Sequence, residues 1–354
     1  MKIRILTQPI GHNIGGILQN FALMAVCKKF SDDVKTFNVP MPKPIYFPVL
    51  KYGACVKRIF LKIFFDRRTV VRWWLEELPF RIPQESDVIR LSNCDKLKRL
   101  YMEDSCFIFG SDQIWRKIMS PRLMAYFGDF LKKDTPRIAY AASFGVDCWQ
   151  YDEKETQRII PLLKKFKAIS VREESAVQLL KERGIDARLA LDPTMLLNTD
   201  DYGRLETEVS RDYAKEKHIF VYCLDEHLNQ KDVLHQLEQT INMPLLSLNQ
   251  KNLQIDMWLS AMRTAEYVIT DSFHGTVFSI LFQKKFIVVA NEYRGLTRLQ
   301  SLLKMFDLEN RLIMSFENFD CEKLDAEIDY ESVDTILNQE RKKSFAFLSE
   351  NLAS

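Results

Sequence analysis

The chain has 354 residues, 47% hydrophobic and 28% charged, with a formal net charge of +2. That length exceeds what one small core needs and points to two domains, while the near-neutral balance excludes a protein drawn to nucleic acid by its overall field. No run of about eighteen apolar residues occurs and the N-terminus opens directly on a strand, so neither a spanning helix nor a signal peptide is expected and the expected location is cytoplasmic.

Seven cysteines, at 27, 55, 94, 106, 148, 223 and 321, form an odd set without CxxC spacing. Several sit in apolar runs, which suits reduced, buried thiols better than disulfides or zinc.

In chain order, Lys2–Thr7 reads as a strand, the turn from Gln8 to Gly16 is glycine-rich, and Ile17–Val26 has helical spacing. This is the opening of a Rossmann-like βα unit, although the glycines do not form the dinucleotide fingerprint GxGxxG. From about Pro40 to Pro83 the pattern breaks. Within it, Val56–Leu75 interleaves Lys and Arg with Ile, Phe and Trp. Helices packed on the domain with long basic side chains reaching water explain that mixture, and a membrane-surface segment is the less ordinary reading.

From Cys106 the alternation becomes regular. Strands at 106–109, 137–142, 168–171 and 187–191 each end in a polar cluster, beginning at Gly110, Ser143, Arg172 and Asp192, and helices are expected near 153–167 and 175–183. In a parallel sheet such ends line one edge, and four of them describe a site. The stretch 198–217 carries no strong pattern and reads as a linker. Beyond it, strands at 218–224, 244–248, 267–270 and 286–290 alternate with helices near 230–241, 257–264, 276–282 and up to Phe306, and a charged helical tail follows. The economical architecture is α/β with two Rossmann-like domains facing a cleft: 1–197, with the basic excursion at about 40–83, then 198–330, then a helical tail over 331–354.

The turn Asp271-Ser272-Phe273-His274-Gly275 joins the strand Tyr267–Thr270 to the helix expected from Thr276. A strand-to-helix turn at a sheet's carboxyl edge offers N–H groups to an anion. His274 is then placed to exchange a proton with whatever binds there, while a helix capped by Asp271 or Ser272 beside an incidental histidine accounts for the same letters. Ser111, Asp112, Gln113, Ser143, Asp271 and Ser272 at the strand ends, with Asn13 in the first turn, are the candidate substrate contacts. Arg172, Arg294 and Arg298 are candidates for holding a carboxylate or phosphate bidentately. The five histidines do not cluster, so no metal is expected. A Walker loop and a Gly-x-Ser-x-Gly elbow are both missing from the sequence.

The stretches Phe109–Trp115, Ala141–Gly145, Ser170–Ala176, Leu191–Thr194 and Thr270–Gly275, with Asn13–Gln19, together resemble the polysaccharide pyruvyl transferase family, in order and over most of the chain up to about Arg311. The resemblance implies a fold like that of GT-B glycosyltransferases. It also implies transfer of the enolpyruvyl carbons of phosphoenolpyruvate to two hydroxyls of a sugar, giving a cyclic ketal and phosphate, with no cofactor. By the match, His274 carries over as the proton donor, held cationic by the substrate's negative charge, and Arg172 as an arginine contacting the donor. The sequence departs from the family at Ser272, where many members carry arginine, and in the first turn, where several carry an acidic residue. Arg294, Arg298 or another basic residue would then take over the arginine's work, or this branch has changed its donor or lost activity. The remaining readings are a nucleotide-sugar glycosyltransferase, with Glu292 near a ribose, and a binding protein without activity. The expected partner is a sugar acceptor, with a lipid-linked oligosaccharide at the inner membrane face suiting the basic segment.

Overall fold

The structure is a computed structural model that describes residues 1–11, 13–39, 83–91, 96–97, 104–120, 122–225, 231–247, 254–290 and 295–352. The basic segment, Glu292 and Arg294 lie outside the described residues.

Two parallel sheets organise the chain. The first contains β1 (Lys2–Leu6), β2 (Val34–Asn38), β3 (Val88–Arg90), β4 (Ser105–Phe109), β5 (Arg137–Ala142), β6 (Ala168–Val171) and β7 (Arg188–Leu189), in the order β3-β2-β1-β4-β5-β6-β7. The second contains β8 (Ile219–Tyr222), β9 (Leu245–Ser247), β10 (Tyr267–Thr270), β11 (Lys285–Val289) and β12 (Leu312–Ile313), in the order β12-β11-β10-β8-β9. Every residue of β4 and β5 is buried, as expected of central parallel strands covered on both faces. Strand order reverses beside β1 in one sheet and between β8 and β10 in the other. Ligands of open α/β sheets bind at such reversals, off the carboxyl ends of the strands.

One apolar core joins the two sheets. The helix Ile14–Cys27 contributes Phe21, whose ring lies 6.2 Å from Tyr202; Tyr202 lies 4.8 Å from Phe278, and Phe278 5.1 Å from Trp258. This aromatic row runs from the first helix to Trp258 on the helix Ile255–Thr264 of the second half, so burial couples the two halves. The helix Tyr330–Leu352 ties them again: Gln283 donates to Asp334 at one end, while Arg341 donates to the Met195 and Leu197 carbonyls at 2.6 and 2.8 Å and Ser344 accepts from Leu191 N–H.

Several elements differ from the sequence expectation. The stretch 198–217 holds two short helices, Thr199–Gly203 and Glu208–Tyr213, each opened by a capping box. Their boxes use Asp201 and Ser210 in place of the usual Glu or Gln, which hid the signal. Strands β2, β3 and β12 were not expected, and β7 is only two residues long. The helix after β10 runs Phe273–Leu281, starting three residues earlier than expected, so His274 belongs to its first turn.

Candidate active site at the junction of the sheets

Each side chain here is fixed by a local device. At the end of β10, Thr270 Oγ1 donates to the Tyr222 carbonyl at 2.7 Å and accepts from Ser272 N–H at 3.0 Å. Ser272 caps the helix, its hydroxyl accepting from Gly275 N–H at 3.3 Å. Phe273 and His274 therefore fill the first turn, where backbone N–H groups have no partner four residues back within the helix. A second helix N-terminus arrives from the other half. Helix Ile14–Cys27 follows Asn13, and a Cβ built on Gly15 would lie 2.1 Å from His274 Nδ1. Glycine is the only residue that allows the imidazole to sit there.

The other wall is a buried charge network from the ends of β4, β6 and β7. Arg172, its side chain 1% exposed, donates to Asp192 Oδ2 at 2.8 Å and to Asp112 Oδ1 at 3.0 Å. Ser111 Oγ donates to the same Asp192 oxygen at 2.9 Å, and the other Asp192 oxygen accepts from the Thr194 hydroxyl and N–H. His274 Nε2 stands 3.8 Å from Asp192 Oδ2, buried and, among the described residues, without a hydrogen-bond partner. The Arg172 guanidinium lies over the Phe273 ring at 4.4 Å, and that of Arg298 lies 5.3 Å from the same ring.

Burial would push the Asp112 carboxyl up, but Arg172, then His274 and Arg298, outweigh it and hold it at about 2. Asp192 is likewise lowered, its cationic neighbours and the Thr194 bonds overcoming burial. Burial brings His274 down to about 4 against the pull of Asp192 and Asp112, with Arg172 and Arg298 pressing the same way as burial. The ligand-free imidazole is therefore neutral near pH 7. Arg298 is lowered to about 9, by burial first and then by Arg172. Glu173 is raised by burial even though one of its oxygens accepts from Ser143 Oγ, Phe144 N–H and Gly145 N–H.

The structure brings His274, Arg172, Ser111 and Asp112 into one network and sets Arg298 beside it. Arg172 does not present its fork to the cleft as expected, because both terminal nitrogens are engaged by the two aspartates. Gln113 pairs with Arg116 at 2.7 Å and Ser143 with Glu173. Asp271 faces the β8 loop, accepting from Leu224 and Asp225 N–H at 2.7 and 3.2 Å. Asn13 is exposed, with no side-chain bond to the helix it precedes. Asp192, Glu173 and Gly15 were not singled out. Asp192 lies in the Leu191–Thr194 stretch, and its signal was an aspartate ahead of Pro-Thr. Among the described residues no group of three or more His, Cys, Asp or Glu is placed to hold a metal, and no helix is long and apolar enough to cross a membrane. A cavity of about 840 Å³ lined by Glu206, Arg263 and Leu281–Gln283 lies at the far end of the Phe273–Leu281 helix, ~10 Å along it from His274.

Solved structures share this architecture. The UDP-GlcNAc 2-epimerase from Neisseria meningitidis bound to UDP-GlcNAc aligns with a TM-score of 0.54 and 8% identity over 100% of both chains. The putative UDP-N-acetylglucosamine 2-epimerase from Listeria monocytogenes aligns at 0.53 and 10% identity over 99% of this chain and 97% of that one. The UDP-GlcNAc 2-epimerase from Methanocaldococcus jannaschii aligns at 0.52 and 10% over 96% and 94%. At these identities the likeness defines the fold, which is GT-B. No curated protein matches the chain by sequence. The polysaccharide pyruvyl transferase family profile matches residues 13–293, and the chain belongs to that family.

Proposed function

We propose that this protein transfers the enolpyruvyl group of phosphoenolpyruvate to two hydroxyls of a sugar, forming a pyruvate ketal in bacterial capsular or exopolysaccharide synthesis. The observation that carries the reading is His274, buried between two helix N-termini beside arginines, in a chain of the pyruvyl transferase family. A small, strongly anionic donor suits opening N–H groups and guanidinium groups, and no resident cofactor is needed.

The atoms balance with one donor and one diol. A proton adds to the methylene carbon, and one hydroxyl oxygen bonds to the adjacent carbon. Phosphate then leaves that carbon, and the second hydroxyl oxygen replaces it. Of the two protons the hydroxyls release, one replaces the proton given to the methylene and one departs with phosphate. His274 supplies the methylene proton. The donor's negative charge raises its proton affinity from the ligand-free value, so the imidazole is charged when the donor arrives.

Ser272 is committed to capping, and Arg298 takes the work of the family's arginine at that position, beside the ring of the next residue, Phe273. Arg172 acts as the counter-charge that holds Asp112 and Asp192 in place. The acceptor is a saccharide with two neighbouring hydroxyls, free or lipid-linked at the inner membrane face.

The test is incubation with phosphoenolpyruvate and a panel of free and lipid-linked diol sugars, reading phosphate release and ketal mass. One phosphate per ketal, lost in His274→Gln, supports the proposal. Turnover of a nucleotide sugar with phosphoenolpyruvate inert overturns it.

A further inference from the structure

We propose that His274 exchanges its proton through Nδ1, with Asp192 holding the imidazole from behind as the Nε2–H tautomer and Gly15, lacking a side chain, leaving room beside Nδ1. The two ring nitrogens face different surroundings. Nε2 is buried without a hydrogen-bond partner among the described residues, and the carboxylate oxygen 3.8 Å away belongs to Asp192. A lone pair on Nε2 would point at that anion, whereas a proton there is attracted to it; in a histidine the environment of one nitrogen decides which of the two carries the proton.

Asp192 is fixed for this task. Its Oδ1 is occupied by Thr194 and its Oδ2 by Ser111 and Arg172, so the carboxylate cannot swing away from the ring. Nδ1 lies against the first turn of helix Ile14–Cys27, where any side chain at Gly15 would collide with it. An anion held at that helix N-terminus would meet Nδ1. The groups acting on the imidazole are Asp192 and Asp112 as anions and Arg172 and Arg298 as cations. Asp192 is thus a positioning residue. It fixes which nitrogen works and favours the charged ring once an anion is bound, while remaining ionised itself.

The inference rests on the proposed function for the identity of the substrate alone; the tautomer belongs to the ligand-free protein. The deciding experiment is long-range ¹H–¹⁵N correlation on the full chain labelled with ¹⁵N-histidine, without ligand, near neutral pH, with His274 assigned by the signal lost in His274→Gln. The expected spectrum shows Nε2 as the protonated nitrogen and Nδ1 as the bare one. The reverse tautomer overturns the inference whether or not phosphoenolpyruvate proves to be the donor. In Asp192→Asn the preference for Nε2–H should shrink. If that variant turns over, its kcat should fall roughly 10²-fold with a smaller change in KM, since a positioned proton donor contributes about that much. Unchanged tautomer preference and kcat in a folded Asp192→Asn would equally sink it. Should the variant fail to fold, the wild-type spectrum alone still decides.

Discussion

Gly15 and His274 touch across the two halves of the protein: a Cβ on Gly15 would stand 2.1 Å from Nδ1 and 2.5 Å from Cγ of the imidazole. The first turn of a helix from one sheet therefore rests on the working side chain of the other. The site is assembled from both halves, which the aromatic row from Phe21 to Trp258 and the crossing helix Tyr330–Leu352 join.

Gly15→Ala must push the imidazole aside. Turnover should fall about 10²-fold or more, as misplacing a catalytic group by an ångström does, with a loss of roughly 1–3 kcal/mol in stability from overpacking. Gly16→Ala is the control, because its Cβ would meet Asn13 at an ordinary 3.5 Å. Urea unfolding and steady-state rates of the pair check this, and equal effects at both positions would contradict the contact.

Arg172→Ala leaves Asp112 and Asp192 buried without their shared cation. The expected loss is about 3–5 kcal/mol of unfolding free energy. Arg172→Lys should also be costly, since a single ammonium does not span both carboxylates as a guanidinium fork does. A normal unfolding midpoint in Arg172→Ala would show that the network is not structural.

The ligand-free protein should lose stability as pH falls from 6.5 towards 4. His274 titrates at about 4 folded and near 6.5 unfolded, so between these values the unfolded chain binds the extra proton. Its contribution is complete above pH 6.5, and acidification to pH 4 removes roughly 3 kcal/mol. Denaturation midpoints from pH 7.5 to 4.5 should fall less steeply in His274→Gln, and identical slopes would rule the neutral imidazole out.

Phosphoenolpyruvate binding should be accompanied by proton uptake at about pH 7.5, above the range in which the donor's own phosphate titrates. The free imidazole is neutral there, and an anion beside it favours the charged form. Calorimetric titration in buffers of different ionisation enthalpy measures the uptake. In His274→Gln it should vanish, while binding persists.

Much of this arrangement is legible in the letters, and the exceptions have physical reasons. The central strands β4, β5, β6 and β10 are short runs of apolar residues ended by polar turns, and their limits are readable to within a residue. Edge strands β3 and β12 are two or three residues long and partly exposed, so they carry no period. His274, Ser111, Asp112 and Arg172 are visible as strand-end residues, because parallel strands bring those ends to one edge. That Arg172 is consumed by two aspartates, and that Asp192 stands behind the histidine, depends on where side chains 20 and 60 residues apart meet. The role of Gly15 depends on a contact between two domains, which local pattern does not encode.

Calorimetric titration of the wild-type protein with phosphoenolpyruvate and, separately, with UDP-GlcNAc decides which donor the site takes. Phosphoenolpyruvate should bind saturably with proton uptake, and the nucleotide sugar should give no heat. Binding of UDP-GlcNAc with phosphoenolpyruvate silent would contradict pyruvyl transfer.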